Sequence, residues 1–329
     1  MEITPKTVHF ADIGNDARRQ YIDALAVFTA REDAARNADD VRGGMYWKHQ
    51  SKCEYLIRTS ATNVQRSLGP RTVETEAMYA GFMERKRTAE ERLTDLTREL
   101  IRHQRMNRAL FVGRSPQILV DILNTLTETR LTEYFTVVGT HALYAYEAAA
   151  GIRITLPEAL ATQDVDLLWD TRKRITFVSR MKTLDSSMLG ILKRVDKSFE
   201  IKRNQVFTAI NSKGFEVDII RREATEGDPH PLCLTDREED LYAVQADRAG
   251  LLLQGPRFSA MIVSASGHMA RISTISPVIF ARFKRWLADR PDRDPLKRQR
   301  DTLQAVLMEQ LVTEYLPQFE QKHSTGNGQ

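Results

Sequence analysis

The chain has 329 residues, 42% of them hydrophobic, with two cysteines and a formal net charge of +4 at pH 7. This composition excludes an intrinsically disordered chain, and no apolar run in the sequence is long enough to cross a bilayer. The two cysteines form no recognisable disulfide or metal motif, and the first residues lack the apolar core of a signal peptide. We therefore expect a cytoplasmic protein with reduced thiols and no membrane partner, whose modest basic excess permits a polyanionic partner.

Residues 1–109 are predicted to form a helical N-terminal region. One helix is expected over 15–36, and a long helix over about 73–108, dense in Glu, Arg and Lys with a sparse apolar stripe. A stripe that narrow predicts a partner, which is a helix of the same chain, a second copy of the chain or another protein.

The segment between these helices mixes aromatic and basic residues. Its aromatic residues include Tyr46, Trp47 and Tyr55, and its basic residues are Lys48, Lys52, Arg58, Arg66 and Arg71. Two interpretations are open: a helix that buries its aromatic face and solvates its basic face, and a surface that stacks bases and binds phosphates. The helical interpretation is the simpler one, because amphipathic helices usually bury one face.

Residues 110–275 are predicted to be an α/β core with a mixed sheet of about five strands. An apolar run at 135–138 predicts a buried strand, and a helix of small residues is expected from about His141 onwards. Gly139 and Thr140 lie between the two. The backbone N–H groups and the hydroxyl at such a junction favour binding of a phosphate group.

Three carboxylates follow on two predicted strands. Asp164 and Asp166 share one face of their strand, because side chains alternate along a strand. Asp218 lies on a strand predicted over 215–221, and it completes a cluster of three if the two strands pair. Two carboxylates about 7 Å apart on one strand suit a hard divalent cation, and three can bind two Mg²⁺ ions.

Residues 276–329 are predicted to be a C-terminal helical region that ends in a frayed tail. One helix begins at Pro277 and another covers about 296–316. Residues 282–300 contain eight Lys or Arg and three Asp, a marked local excess of positive charge. A further helix is expected earlier in the chain, over 236–249.

In this order the motifs resemble the DNA polymerase β-like nucleotidyltransferase superfamily, whose pattern is a strand, Gly-Ser or a variant, a helix, Asp-x-Asp and a distant Asp. More closely, the chain is similar to bacterial nucleotidyltransferase-like proteins with a long helical N-terminal region. These are related to the toxin-type nucleotidyltransferases of toxin–antitoxin and phage-defence systems. Two departures exist: Thr140 replaces the usual Ser but keeps the hydroxyl, and 23 residues separate Thr140 from Asp164, more than in the compact pattern.

The resemblance implies a nucleotidyltransferase core between two helical regions. It implies Mg²⁺-dependent transfer of a nucleoside monophosphate from an NTP to an acceptor hydroxyl, with RNA or tRNA as the favoured acceptor and pyrophosphate as the product. In this scheme Asp164, Asp166 and Asp218 bind the metal ions and catalyse the transfer. Asp218 also orients the acceptor hydroxyl.

The resemblance also implies the residues that hold the NTP. Gly139 and Thr140 bind its β- and γ-phosphates. In the related toxin-type enzymes a Lys of the C-terminal helices contacts the triphosphate and an Asp follows in the next helix, an arrangement that Lys284 and Asp301 resemble. The alternative for Lys284 is a place on a solvated basic face.

Two other functions stay open at this point. One is a catalytically inactive nucleotidyltransferase-like core that binds nucleic acid, and the other is a module that binds a partner or a second copy through the long helix. His141 has no assigned role, since a single His at a helix start is more often structural. The identity of the NTP is open, as is the choice between RNA, a protein and a small molecule as acceptor.

Overall fold

The computed structural model describes residues 9–50, 53–237 and 239–319. They form two compact units: residues 15–112 are one, and residues 9–14 together with 113–319 are the other. The C-terminal helices belong to the same unit as the predicted core. The predicted frayed tail lies largely outside the described residues. No helix within the described ranges is long and apolar enough to cross a membrane.

Helices and strands are interspersed along the chain, with several runs of consecutive strands. The strands are β1 (Phe10–Asp12), β2 (Gly44–Gln50), β3 (Cys53–Thr59), β4 (Gln65–Pro70), β5 (Phe135–Val138), β6 (Ile152–Ile154), β7 (Asp164–Trp169), β8 (Glu200–Lys202), β9 (Gln205–Ile210), β10 (Glu216–Arg221), β11 (Leu232–Cys233), β12 (Tyr242–Gln245), β13 (Arg257–Val263) and β14 (Met269–Ile275). The α-helices are α1 (Asn15–Asp40), α2 (Val73–Ala109), α3 (Gln117–Glu128), α4 (Leu143–Ala150), α5 (Pro157–Leu160), α6 (Arg174–Leu184), α7 (Met188–Val195), α8 (Ala249–Gln254), α9 (Pro277–Ala288) and α10 (Pro295–Tyr315).

In the smaller unit, the long helix α2 packs against α1. Gln20 of α1 lies 3.0 Å from a ring nitrogen of His103 and donates a hydrogen bond of 2.9 Å to Asn107, both on α2. Helix α2 begins after Thr72, whose hydroxyl accepts a hydrogen bond from the N–H of Thr75. Helix α2 therefore has a helical partner within the chain, which is one of the predicted alternatives. Association with a second copy or another protein stays a prediction.

The helical interpretation of the aromatic and basic segment is wrong. Strands β2, β3 and β4 form an antiparallel sheet in the order β2-β3-β4. Its aromatic and β-branched residues suit a pleated surface, and residues in left-handed backbone conformation, Gly43 before β2 and Asn63 between β3 and β4, allow the chain to turn. The N-terminal region is thus helical at both ends but contains a sheet between its helices.

The larger unit is built on a mixed sheet of nine strands. The order along the sheet is β11-β12-β10-β7-β5-β14-β13, with β9 paired to β10 and β8 paired to β9. Burial alternates along β10 and along the first half of β7, the last three residues of β7 are all buried, and β5 is buried throughout. Helices α3 and α4 pack on β14 and β13, while α9 and α10 pack against each other. The predicted fold class, an α/β core with a mixed sheet and helical regions before and after it, is confirmed.

The sheet is larger than the five strands predicted, for two reasons. The segment 199–210, whose apolar pattern predicts a single strand, instead forms the hairpin β8–β9, because Asn204 adopts a left-handed conformation in the middle of it. The helix predicted over 236–249 is also wrong. Strand β12 lies there because Val244 pairs with Ile220 at the end of β10, so a contact with a distant strand overrides the local preference.

Candidate active site

The strand register brings the three predicted carboxylates together. Strand β7 lies between β5 and β10, so that Asp166 is opposite Val138 on one side and Asp218 on the other. Carboxylate oxygens of Asp164, Asp166 and Asp218 all lie within 4.8 Å of one another. Asp218 joins Asp164 and Asp166 because β10 pairs with β7 in parallel. The sequence predicts the cluster of three only if these two strands pair.

Burial and the neighbouring carboxylates raise the proton affinity of Asp166 and Asp218. Burial, and then the negative charges of Asp164 and Asp218, raises the pKa of Asp166 to about 7. Burial also raises the pKa of Asp218, although a hydrogen bond from the Thr208 hydroxyl opposes this shift. Clustered carboxylate oxygens that repel one another fit a hard divalent cation such as Mg²⁺, which would offset their charge.

Gly139 lies against this cluster in a backbone conformation that favours glycine. Its φ is +70°, in the left-handed region. A Cβ at this position would overlap the Oδ2 atom of Asp166. Gly139 therefore allows the backbone to approach the carboxylate closely, which explains why the predicted Gly is needed here.

We expect Gly139→Ala to weaken Mg²⁺ binding by about tenfold or more, because it displaces the Asp166 carboxylate and strains the backbone by roughly 1–2 kcal/mol. Gly81→Ala is the matched control, since Gly81 lies within α2 and a Cβ there meets nothing within 4 Å. That control should be neutral or slightly stabilising. Titration calorimetry with Mg²⁺ measures the difference, and equal affinities in the two variants would contradict the assignment.

Thr140 is held by a residue that the sequence analysis missed. Thr140 is buried and starts a 3₁₀ turn, Thr140–Ala142, that leads into α4. Its hydroxyl accepts a hydrogen bond of 3.1 Å from Nε2 of Gln304, which also donates to the carbonyl of Ala159 at 2.6 Å. The hydroxyl hydrogen of Thr140 therefore stays available to donate to an anion.

Lys284 lies in the same cleft as the carboxylates but is already paired. Its side chain is buried, and its Nζ donates a hydrogen bond of 2.8 Å to Oδ1 of Asp301, which is fully buried on α10. Arg293 Nε donates to the other oxygen of Asp301 at 2.8 Å. Burial lowers the pKa of Lys284, and the adjacent carboxylate of Asp301 opposes this shift. Asp301 therefore holds the Lys284 ammonium and the Arg293 guanidinium in place at the cleft.

A basic wall completes the cleft, whose volume is about 390 Å³. The carboxylate cluster, Gly139 and Thr140 lie on its sheet side, and the cations on its helical side are Lys284, Arg290, Arg293, Lys297 and Arg300. Of these five cations, only Lys284 is predicted individually from the sequence. The other four cations lie within residues 282–300, the segment in which the sequence shows an excess of basic residues.

His141 is buried between aromatic rings. It is 1% exposed, and its ring lies near the rings of Tyr144 and Phe215. Burial lowers the pKa of His141 to about 4, so the imidazole is neutral at physiological pH. The carboxylate charge of Asp164 and a hydrogen bond with its backbone oppose this shift.

Comparison with known proteins agrees with this geometry. A family model described as Nucleotidyltransferase matches residues 117–326, more than half of the chain, and this region contains every residue of the cleft. Searches of curated proteins and of solved structures found no match. The extent of the family match and the carboxylate cluster together show that the chain belongs to the nucleotidyltransferase family.

Proposed function

We propose that the protein is a Mg²⁺-dependent nucleotidyltransferase that transfers a nucleoside monophosphate from an NTP to an acceptor hydroxyl and releases pyrophosphate. RNA, including tRNA, is the favoured acceptor. The observation that carries this proposal is the cluster of three carboxylates in a cleft that five Lys or Arg side chains also line. A cleft with both features suits a metal-bound triphosphate.

The metal fits the carboxylate side of the cleft. Asp164, Asp166 and Asp218 would hold one or two Mg²⁺ ions through oxygen ligands. Bound Mg²⁺ would polarise the reacting phosphoryl group and lower the pKa of the attacking hydroxyl. The residues of the chain then position the two substrates, which is the main contribution of the protein to phosphoryl-transfer chemistry.

The opposite wall of the cleft suits the triphosphate. Lys284 and Arg293 are fixed by Asp301, and Thr140 is fixed by Gln304, so these donors are oriented before the NTP binds. Preorganised donors stabilise developing negative charge without a cost of reorganisation. We propose that Gly139, Thr140 and Lys284 bind the phosphates, with Arg293 as an additional contact.

The order of strands suggests where the acceptor binds. Strand β7 separates β10, which contains Asp218, from β5, which ends just before Gly139 and Thr140. The phosphates and the acceptor hydroxyl then approach Asp166 from opposite sides. The hydroxyl of Thr208 donates to Asp218 and fixes the direction of its carboxylate. We propose that Asp218 orients the acceptor hydroxyl.

The proposal is tested by incubating the protein with each α-³²P-labelled NTP, Mg²⁺ and either total cell RNA or cell lysate. Transfer of label to RNA, protein or a small molecule identifies the nucleotide and the acceptor class. Reactions with EDTA, and with Asp164→Ala, are the controls that must stay unlabelled. An NTP that binds but labels nothing would favour the alternative, an inactive nucleotidyltransferase-like binding module.

We also propose that the protein belongs among the toxin-type nucleotidyltransferases. The support is the pairing of Lys284 on α9 with Asp301 on α10. Expression in a bacterial host should then slow growth, and Asp164→Ala should remove this effect at equal protein level. Growth that is inhibited equally by both forms would indicate a burden unrelated to catalysis.

A further inference from the structure

The three-stranded sheet of the smaller unit has one covered face and one open face. Side chains on the covered face contact α2: the ring of Trp47 lies 5.9 Å from that of Tyr79, and the Arg58 guanidinium lies 4.4 Å from the ring centre of Phe82. Side chains alternate along a strand, so the residues between these point to the other face. The open face is defined by Tyr46, Lys48, Gln50, Cys53, Tyr55, Ile57, Gln65 and Ser67, of which Ile57, opposite Tyr46, is buried.

Two tyrosines form the aromatic part of this open face. Tyr46 is 39% exposed, and Tyr55, which is opposite Lys48, is half-buried and lines a shallow groove. The register places Tyr46 opposite Ile57, so the two tyrosines are diagonal neighbours about 7–8 Å apart at their backbones. At that spacing each ring can contact a different planar group.

The charge around the sheet is strongly positive. Residues 42–71 contain six Lys or Arg and a single acid, Glu54. The carboxylate of Glu54 is already paired with Arg71 at 2.6 Å. More broadly, residues 15–112 contain 18 Lys and Arg and 14 Asp and Glu, which equals the net charge of +4 of the whole chain. An open face with exposed aromatic rings in such a segment complements a polyanion that has planar groups.

We propose that this open face binds single-stranded nucleic acid, with Tyr46 and Tyr55 stacking on bases and Lys48 contacting the backbone phosphates. Base stacking on side chains requires unpaired bases, so a duplex should bind more weakly. A second copy of the chain is a poor occupant, because a two-fold contact would bring the same basic segment against itself. This binding requires neither metal nor NTP and goes beyond the proposed transfer reaction.

The test measures fluorescence anisotropy of labelled single-stranded RNA and DNA of about 20 nucleotides, long enough to span one such binding surface. The full chain is used, in EDTA and without NTP, so that failure of the transferase proposal does not affect the result. Tyr46→Leu/Tyr55→Leu should weaken binding by about tenfold or more, since both stacking rings are lost. Tyr46→Phe/Tyr55→Phe keeps both rings and should bind within about twofold of the parent.

Lys48 provides a second readout that does not depend on the tyrosine variants folding well. Lys48→Ala should reduce the slope of log affinity against log salt concentration by about 0.7, the value for one phosphate contact with a single strand. Arg85→Ala removes the same charge from an exposed position on α2 and should leave the slope unchanged. The proposal is overturned if neither oligonucleotide binds, if a duplex binds equally well, or if Leu and Phe variants bind alike and the slope is unchanged in Lys48→Ala.

Discussion

Replacing Asp166 with asparagine should abolish nucleotidyl transfer and, at the same time, stabilise the metal-free protein above pH 7. The loss of activity follows from the loss of a charged ligand at the centre of the carboxylate cluster. A metal-dependent step that loses a ligand loses several kcal/mol of transition-state stabilisation, which corresponds to at least about 10³-fold in rate.

The gain in stability follows from the raised pKa of Asp166. An aspartate titrates near 3.8 in the unfolded chain and near 7 at this position, so the folded protein binds more protons between these values. The stability of the metal-free protein therefore falls as pH rises from about 4 to about 7, and the loss persists at higher pH. An asparagine does not ionise, so Asp166→Asn should be more stable at alkaline pH by on the order of 4 kcal/mol, since one pKa unit corresponds to about 1.4 kcal/mol.

The same titration predicts that Mg²⁺ and protons compete. The affinity for Mg²⁺ should increase with pH up to about 7 and then level off, because the ionised form of Asp166 is the ligand. Urea unfolding in EDTA at several pH values, together with Mg²⁺ titration over the same range, measures both effects. Asp95→Asn, an exposed position on α2, is the control. Equal stability of the parent and Asp166→Asn at alkaline pH would show that ionisation of Asp166 does not destabilise the folded protein.

The parts of the fold that the sequence predicts well depend on local patterns. The long helix α2, the helices after Pro277 and the shared face of Asp164 and Asp166 each follow from spacing within one element. Gly139 was predicted from its place after a strand. The structure adds the reason: a side chain there would overlap Asp166, 27 residues further along the chain.

The parts that the sequence does not predict depend on contacts between distant segments. Gln304 holds Thr140 across 164 residues, and no local pattern distinguishes that glutamine from others on α10. Strand β12 forms because β10 offers it an edge, although its own sequence is compatible with a helix. The sheet β2–β4 is not predicted for a related reason. Short segments of aromatic and basic residues are compatible with the periodicity of a helix and with that of a strand.

Lys284 is one of eight basic residues within 282–300. Its burial distinguishes it from the other seven. Lys297 lines the same cleft but is exposed, whereas Lys284 is 5% exposed and bonded to Asp301. A buried, fixed ammonium should bind a triphosphate more strongly than a mobile, hydrated one, because less solvent screens it and no side chain has to be ordered.

We therefore expect Lys284→Ala to weaken NTP binding by about tenfold or more, the value of one hydrogen bond to a charged group. Lys297→Ala should weaken it by about threefold or less, as expected for an exposed ion pair. Lys284→Arg should recover part of the affinity, since the charge survives although the shape of the donor changes. Titration calorimetry with a non-hydrolysable NTP and Mg²⁺ measures all three.

Loss of Lys284 should also destabilise the protein, and this effect has to be separated from NTP binding. Asp301 keeps its contact with Arg293, so we expect a cost of about 1–3 kcal/mol, less than for a fully isolated buried charge. Asp301→Asn breaks the same pair but keeps the ammonium, so it should lower stability while retaining more NTP affinity than Lys284→Ala. If the two variants lose equal affinity, or if Lys284→Ala and Lys297→Ala lose equally little, Lys284 acts only as part of the helical scaffold and does not contact the triphosphate.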